Sequence, residues 1–249
     1  MKKIITLGLS GLFFLPSLTS ASETYFFYEH SYATENRIHS DNFGLLHEQG
    51  DAWYKIKIDF YGKNKDTAFD EVVSNSYSFF SGYHFHLNNL LTLSPSMQAR
   101  FYSGGTSGQG TPGEMGDSQT AGARYTPGLM LSWQAADPLS LYTQYRYDYR
   151  KLARGRAAKG EQLNRHRHRY EVGTEYHLLE NLALRYKAFW HKADYVLADN
   201  KKHDYQQDIY VDWQVNPAWQ LNIGAQDVAK SAQEDGREAL LKTGVTYTF

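Results

Sequence analysis

The chain has 249 residues, 26 Lys and Arg against 27 Asp and Glu, a formal charge of −1 and a mean hydropathy of −0.60. A charge so near zero excludes the electrostatic footprint of a nucleic-acid binder, and the lack of cysteine excludes a disulfide framework and thiol chemistry. Twenty Tyr, thirteen Phe and five Trp are many aromatics for so polar a chain. Beyond the N-terminus no apolar run reaches the roughly 18 residues of a membrane helix, so a membrane span here must be made of alternating strands.

At the N-terminus Lys2 and Lys3 precede the apolar run 4–15, and Thr19-Ser20-Ala21 supplies small residues for cleavage. This pattern predicts a signal peptide over 1–21, with 22–249 as one transmembrane β-barrel. Removing Lys2 and Lys3 moves the formal charge from −1 to about −3.

The alternation then predicts twelve strands, at 24–32, 38–48, 53–61, 72–87, 91–102, 120–134, 139–151, 163–178, 182–195, 204–215, 219–228 and 238–249. Tight turns at Gln49-Gly50-Asp51, Asn88-Asn89, Ala136-Asp137-Pro138, Glu180-Asn181 and Asn216-Pro217 join them on one side. Longer polar stretches at 33–37, 62–71, 103–118, 152–162, 197–203 and 229–237 join them on the other. Long loops alternating with short turns around an even strand count describe an all-β, twelve-stranded antiparallel barrel of the bacterial outer membrane, with both termini periplasmic. Phe85, Trp133, Tyr176, Trp213, Trp219 and Phe249 fall next to the short turns, where a lower aromatic girdle belongs. Pro95 and Pro127 lie inside the fifth and sixth strands and predict bulges there, and 38–48 mixes apolar residues on both faces. The glycine-rich segment 104–116 reads as a loop and not as a phosphate cradle, because no helix follows it.

The closing strand sets Leu241, Val245, Tyr247 and Phe249 against Lys242, Gly244, Thr246 and Thr248, one face for lipid and one for a polar interior. The same parity applied to the seventh strand turns Arg146, Asp148 and Arg150 inward, because an arginine at the bilayer midplane costs about 2–4 kcal/mol. In the eighth it turns Arg165, Arg167 and Arg169 inward and His166 and His168 outward. A symmetric loop closure pairs Arg150 with Arg165, Asp148 with Arg167 and Arg146 with Arg169. Arg185 and Lys187 on the ninth strand, with Arg100 and Arg124 on the fifth and sixth, extend this into a basic wall. Lys55 and Lys57 on the third strand stand opposite, and Lys242 joins from the twelfth.

Rings of arginine and lysine select anions, and the planar guanidinium fork suits carboxylates. Two other readings stay open. One is an adhesive or structural barrel whose interior is filled by ion pairs, with Glu171, Glu175, Asp148, Asp204, Asp208 and Asp212 neutralising the bases. The other is an outer-membrane phospholipase, but its Ser–His pair would have to share a strand face, and His30-Ser31 and His39-Ser40 are adjacent and so on opposite faces. His84 and His86 share a face without an identifiable third ligand, so no metal site and no cofactor are expected. Tyr142 offers either a stacking face for a sugar or simple packing. His166 and His168 suggest contacts with outer-membrane lipid and lipopolysaccharide.

The centre of the chain, LYTQYRYDYRK followed by NRHRHRYEVGTEYHLLENLALRYKAFWHKADY, with the twelve-strand count and the terminal TYTF, resembles the oligogalacturonate-specific porin family. That resemblance implies a small monomeric channel, without catalysis, that passively admits acidic oligosaccharides such as oligogalacturonates or other uronates and sialates. It marks Arg146, Arg150, Arg165, Arg167, Arg169 and Arg185 as lumen bases.

Overall fold

Period-2 alternation runs through every strand of the computed structural model, which describes residues 22–62, 72–103, 121–154, 162–233 and 235–249. In chain order the strands are β1 (Ser22–Ala33), β2 (His39–Gln49), β3 (Ala52–Gly62), β4 (Val72–Tyr83, resumed over Phe85–His86), β5 (Leu91–Tyr102), β6 (Gly122–Ala136), β7 (Leu139–Leu152), β8 (Asn164–Leu179), β9 (Leu182–Ala193), β10 (His203–Asn216), β11 (Trp219–Ala229) and β12 (Arg237–Thr248). Each pairs antiparallel with its neighbour in the chain, and β1 pairs β12 from Tyr25↔Thr248 to Ala33↔Leu240, closing a twelve-stranded barrel. Closure leaves no strand edge in lipid, where an unpaired backbone group is costly. The signal peptide expected over 1–21, the glycine-rich loop and the middle of the 152–162 loop lie outside the described residues.

β10 displays the two faces most plainly. Asp204, Gln206, Asp208, Tyr210, Asp212 and Gln214 are buried toward the axis, while Tyr205, Ile209, Val211, Trp213 and Val215 are exposed on the outside. Such an apolar outer face is at home only in lipid. Phe85, Trp133, Tyr176, Trp213, Trp219 and Phe249 are all exposed beside the short turns, as a lower girdle requires.

Local chemistry closes those turns. Gly50 takes a left-handed φ of 60° between β2 and β3, which costs a residue without Cβ nothing. Asn88 and Asn216 each accept two backbone N–H groups of the following residues, at 2.8 and 2.9 Å and at 2.9 and 3.1 Å. Where the register shifts by a residue at the ends of β6 and β10, Gln134 and Gln214 donate to the carbonyls of Ala136 and Asn216, each at 2.7 Å. On the opposite side, Asp199 and Asn200 form a left-handed tip between β9 and β10. Intact cells should therefore let a membrane-impermeant maleimide label Asn200→Cys and spare Asn216→Cys; the reverse pattern contradicts this orientation.

The two prolines do not produce bulges. β5 and β6 keep one register from Leu91↔Trp133 to Tyr102↔Gly122 through both of them. The missing N–H of Pro95 is felt on its other side. Tyr83 lies across from it, and there β4 breaks, with His84 turning its backbone N–H to Asp51 at 2.9 Å and its ring to Ser94 at 2.7 Å. The mixed pattern of β2 has a simple cause as well. Leu46 is apolar yet turns inward, and Asp41 is acidic yet turns outward under Tyr28 and His30, which bond it at 2.6 and 2.8 Å. β9 ends at Ala193, two residues short of the expected limit, because Tyr195, Leu197 and Ala198 fold over Ala229 as a small apolar cluster.

Candidate functional site

The lumen is built from rungs of residues that neighbouring strands bring into register. Arg100 of β5 faces Arg124 of β6, Arg124 faces Arg150 of β7, and Arg150 faces Arg165 of β8. Four guanidinium groups on one rung repel, and aromatic faces offset part of that repulsion. The Tyr102 ring lies 4.8, 5.6 and 3.6 Å from the Cζ atoms of Arg100, Arg124 and Arg150, and Tyr195 lies 5.0 Å from that of Arg165. Contacts of this kind contribute roughly 0.5–2 kcal/mol each. Asp59 of β3 adds a carboxylate, accepting from Arg100 at 3.0 Å and from Lys57 at 2.6 Å.

One rung nearer the periplasm, Asp148 faces Arg167 as the sequence predicts. Asp148 Oδ2 accepts from Nε and Nη2 of Arg167 at 2.7 and 2.6 Å, and Oδ1 accepts from the Thr126 hydroxyl at 2.7 Å. The next rung places Arg146 opposite Arg169 and Arg169 opposite His191. Arg146 bonds Gln144 and lies 3.6 Å from Glu171; Arg169 lies 3.9 Å from Asp148. Below these, Arg185 faces Glu175 in register and is paired with Asp212 across to β10.

A cavity of about 390 Å³ lies inside the barrel. Lys55, Lys57, Arg100, Arg146, Arg169, Lys187 and Lys242 line it, against the inward carboxylates of Glu29, Asp59, Glu171 and Asp208. Of the expected lumen bases, Arg124, Arg150, Arg165, Arg167 and Arg185 are inward and buried but lie outside this lining, packed into the wall. Lys55 sits over the rings of Phe27 and Phe80 at 4.3 and 5.6 Å, on the side facing Lys187. Lys242 lies 4.0 Å from Asp208 and 5.5 Å from the Tyr210 ring.

Tyr142 does not present a stacking face to the cavity. Its ring lies flat on Gly173, where an added Cβ would come within 2.2 Å of it, and its hydroxyl donates to Glu171. Ser31 and Ser40 turn inward while His30 and His39 turn outward, so no serine–histidine pair forms there. Among the described residues no cluster of His, Asp and Glu is arranged to hold a metal. The sequence reading missed Tyr102, Phe27, Phe80 and Tyr210, the rings on which the bases rest. Tyr102 carried a usable signal, since it stands two residues from Arg100 and therefore on the same face.

The architecture matches known channels. NanC porin, solved in a rhombohedral crystal form, superposes with a TM-score of 0.69 over 89% of this chain and 98% of its own, at 16% identity. KdgM porin gives 0.64 over 90% and 99%, at 14% identity, and KdgM porin in complex with disordered oligogalacturonate gives 0.63 over the same shares. No curated protein sequence matches the chain. The family model described as oligogalacturonate-specific porin protein matches residues 20–249. With that match over nearly its whole length, on a closed twelve-stranded barrel, the chain belongs to the oligogalacturonate-specific porin family and is a channel of the bacterial outer membrane.

Proposed function

We propose that this porin is anion-selective and passively admits acidic oligosaccharides, oligogalacturonate or a similar uronate or sialate, through a lumen of arginine and lysine, working as a single barrel after removal of residues 1–21. The observation that carries this reading is the charge of the cavity lining. Seven lysine and arginine side chains meet four inward carboxylates there, and the rung from Arg100 to Arg165 stands behind them. An excess of fixed cations along a narrow polar path lowers the barrier for an anion and raises it for a cation. A polymer with a carboxylate on each unit can exchange one ion pair for the next, so no single pair need be strong.

The test of the substrate class is entry into proteoliposomes at low salt, comparing an oligogalacturonate with a neutral maltooligosaccharide of equal length. The acidic sugar should enter faster, and its advantage should fade with salt as the Debye length falls from about 10 Å at 0.1 M to about 3 Å at 1 M. Equal entry at low salt removes the sugar-filter role.

A second reading has a specific observation behind it. Arg167–Asp148, Arg185–Asp212, Arg100–Asp59 and Lys57–Asp59 are ion pairs of the kind that fill a closed barrel. Planar-bilayer recording separates the two, because a filled barrel passes no current.

A further inference from the structure

The outer surface of β7 to β10 carries two rungs that the channel function does not use. Tyr145, Tyr170, Trp190 and Tyr205 stand in direct register across the four strands, all exposed. A row of exposed aromatics marks the boundary between acyl chains and headgroups. Two residues further along each strand, roughly 6–7 Å nearer the outside, the next outward rung is Tyr147, His168, Lys192 and His203. Above it lie Tyr149 opposite His166 and Lys151 opposite Asn164.

The composition of this patch is distinctive. Among the described strand residues, Lys151 and Lys192 are the outward-facing lysines, and both are exposed. The histidines are held in place: Tyr145 OH meets His168 Nδ1 at 2.8 Å, Tyr147 OH meets His166 Nδ1 at 2.5 Å, and the His203 ring stacks on Trp190 at 5.4 Å. The tyrosines occupy Nδ1, which leaves Nε2 of His166 and His168 as the ring nitrogen for a headgroup oxygen. Asp194, a carboxylate beside the patch, accepts from the His166 backbone N–H at 2.8 Å and from Gln162 at 2.6 Å.

We propose that this face binds the phosphorylated headgroup of lipopolysaccharide, with Lys151, His168 and Lys192 meeting lipid A phosphates while Tyr145, Tyr170, Trp190 and Tyr205 pack against the acyl chains. Charge complementarity selects this occupant: His168 and Lys192, one rung outside an aromatic belt, stand at the height of the phosphates of the outer leaflet. Lys151, two outward rungs further up β7, reaches down to them along its flexible stem. The inference rests on the outer-membrane position of the barrel and not on the anion selectivity of its lumen, so the two can fail separately.

The test is native mass spectrometry of the purified barrel in mixed micelles with bisphosphorylated lipid A or with the same lipid enzymatically stripped of phosphate. The wild type should retain the phosphorylated lipid roughly tenfold or more over the stripped one. Lys151→Gln/His168→Gln/Lys192→Gln, recovered as a folded barrel, should lose that preference and keep the wild-type reversal potential. Equal retention of the two lipids by the wild type overturns the proposal without recourse to any variant. Undiminished preference in the folded triple variant overturns the assignment of these side chains.

Discussion

Replacing Arg146 and Arg169 together with glutamine should remove most of the anion preference while the barrel still folds. These two guanidinium groups line the cavity and remain partly exposed, at 25% and 19%, and the buried carboxylates beside them keep other partners, Glu171 the Tyr142 hydroxyl and Asp148 the Arg167 guanidinium. Glutamine is shorter but keeps a polar donor beside Gln144 and Glu171. The change leaves five cations against four inward carboxylates in the lining, cutting the excess from three to one. At an effective dielectric of about 20, a charge acts on an ion about 10 Å away with about 1.7 kcal/mol, and 0.1 M salt reduces this about e-fold. The pair therefore favours an anion by roughly 1.2 kcal/mol and disfavours a cation by as much, together a change of roughly one to two orders of magnitude in the anion-to-cation permeability ratio. Reversal potential in a salt gradient reads this directly. An unchanged reversal potential in a folded variant removes this rung from the selectivity path.

The second large effect concerns stability. Arg167→Ser should destabilise the barrel by about 3–5 kcal/mol, because it leaves the Asp148 carboxylate buried without its two-pronged partner. Arg169, 3.9 Å away, compensates only in part. Asp148→Asn in the same chain should restore much of the loss, since the amide needs no countercharge and the Thr126 hydroxyl can still bond it. Urea unfolding in lipid vesicles, followed by tryptophan fluorescence, measures both variants. A single variant as stable as the wild type contradicts the structural role assigned to this pair. Loss of a lumen arginine is therefore expected to be tolerated at Arg146 and Arg169 and costly at Arg167.

That difference shows what sequence alone conveys in such a barrel. Parity is strict in a strand, so the inward set of β7 and β8 and the pairings Arg150↔Arg165 and Asp148↔Arg167 follow from alternation plus one loop closure. How far an inward side chain reaches does not follow from parity. Arg150 lies back on Tyr102 within the wall, whereas Arg146, four residues before it on the same face, reaches the cavity. Which of the two occurs depends on what surrounds each side chain: Tyr102, two strands away on β5, offers Arg150 a ring, and the nearest partners of Arg146 are Gln144 on its own strand and Glu171 on β8. Pro95 teaches the same lesson from the backbone. Its lost donor is visible in the sequence, but whether β4 or β6 absorbs the loss depends on which neighbour that N–H would face, and the break falls in β4. The lower girdle was legible because it requires nothing but aromatics beside short turns. The outward histidines were legible as outward, while the rungs that align them with Lys192 and Trp190 come from three strand pairings together.

The central claim is that the lumen prefers anions, and the most direct measurement of it is the zero-current potential of the purified wild-type protein in a planar bilayer under a tenfold KCl gradient. A conducting pore should give a potential of the sign set by chloride, decreasing toward zero as both sides are raised to molar salt. A potential of the sign set by potassium, or a barrel that inserts and passes no current, contradicts the account.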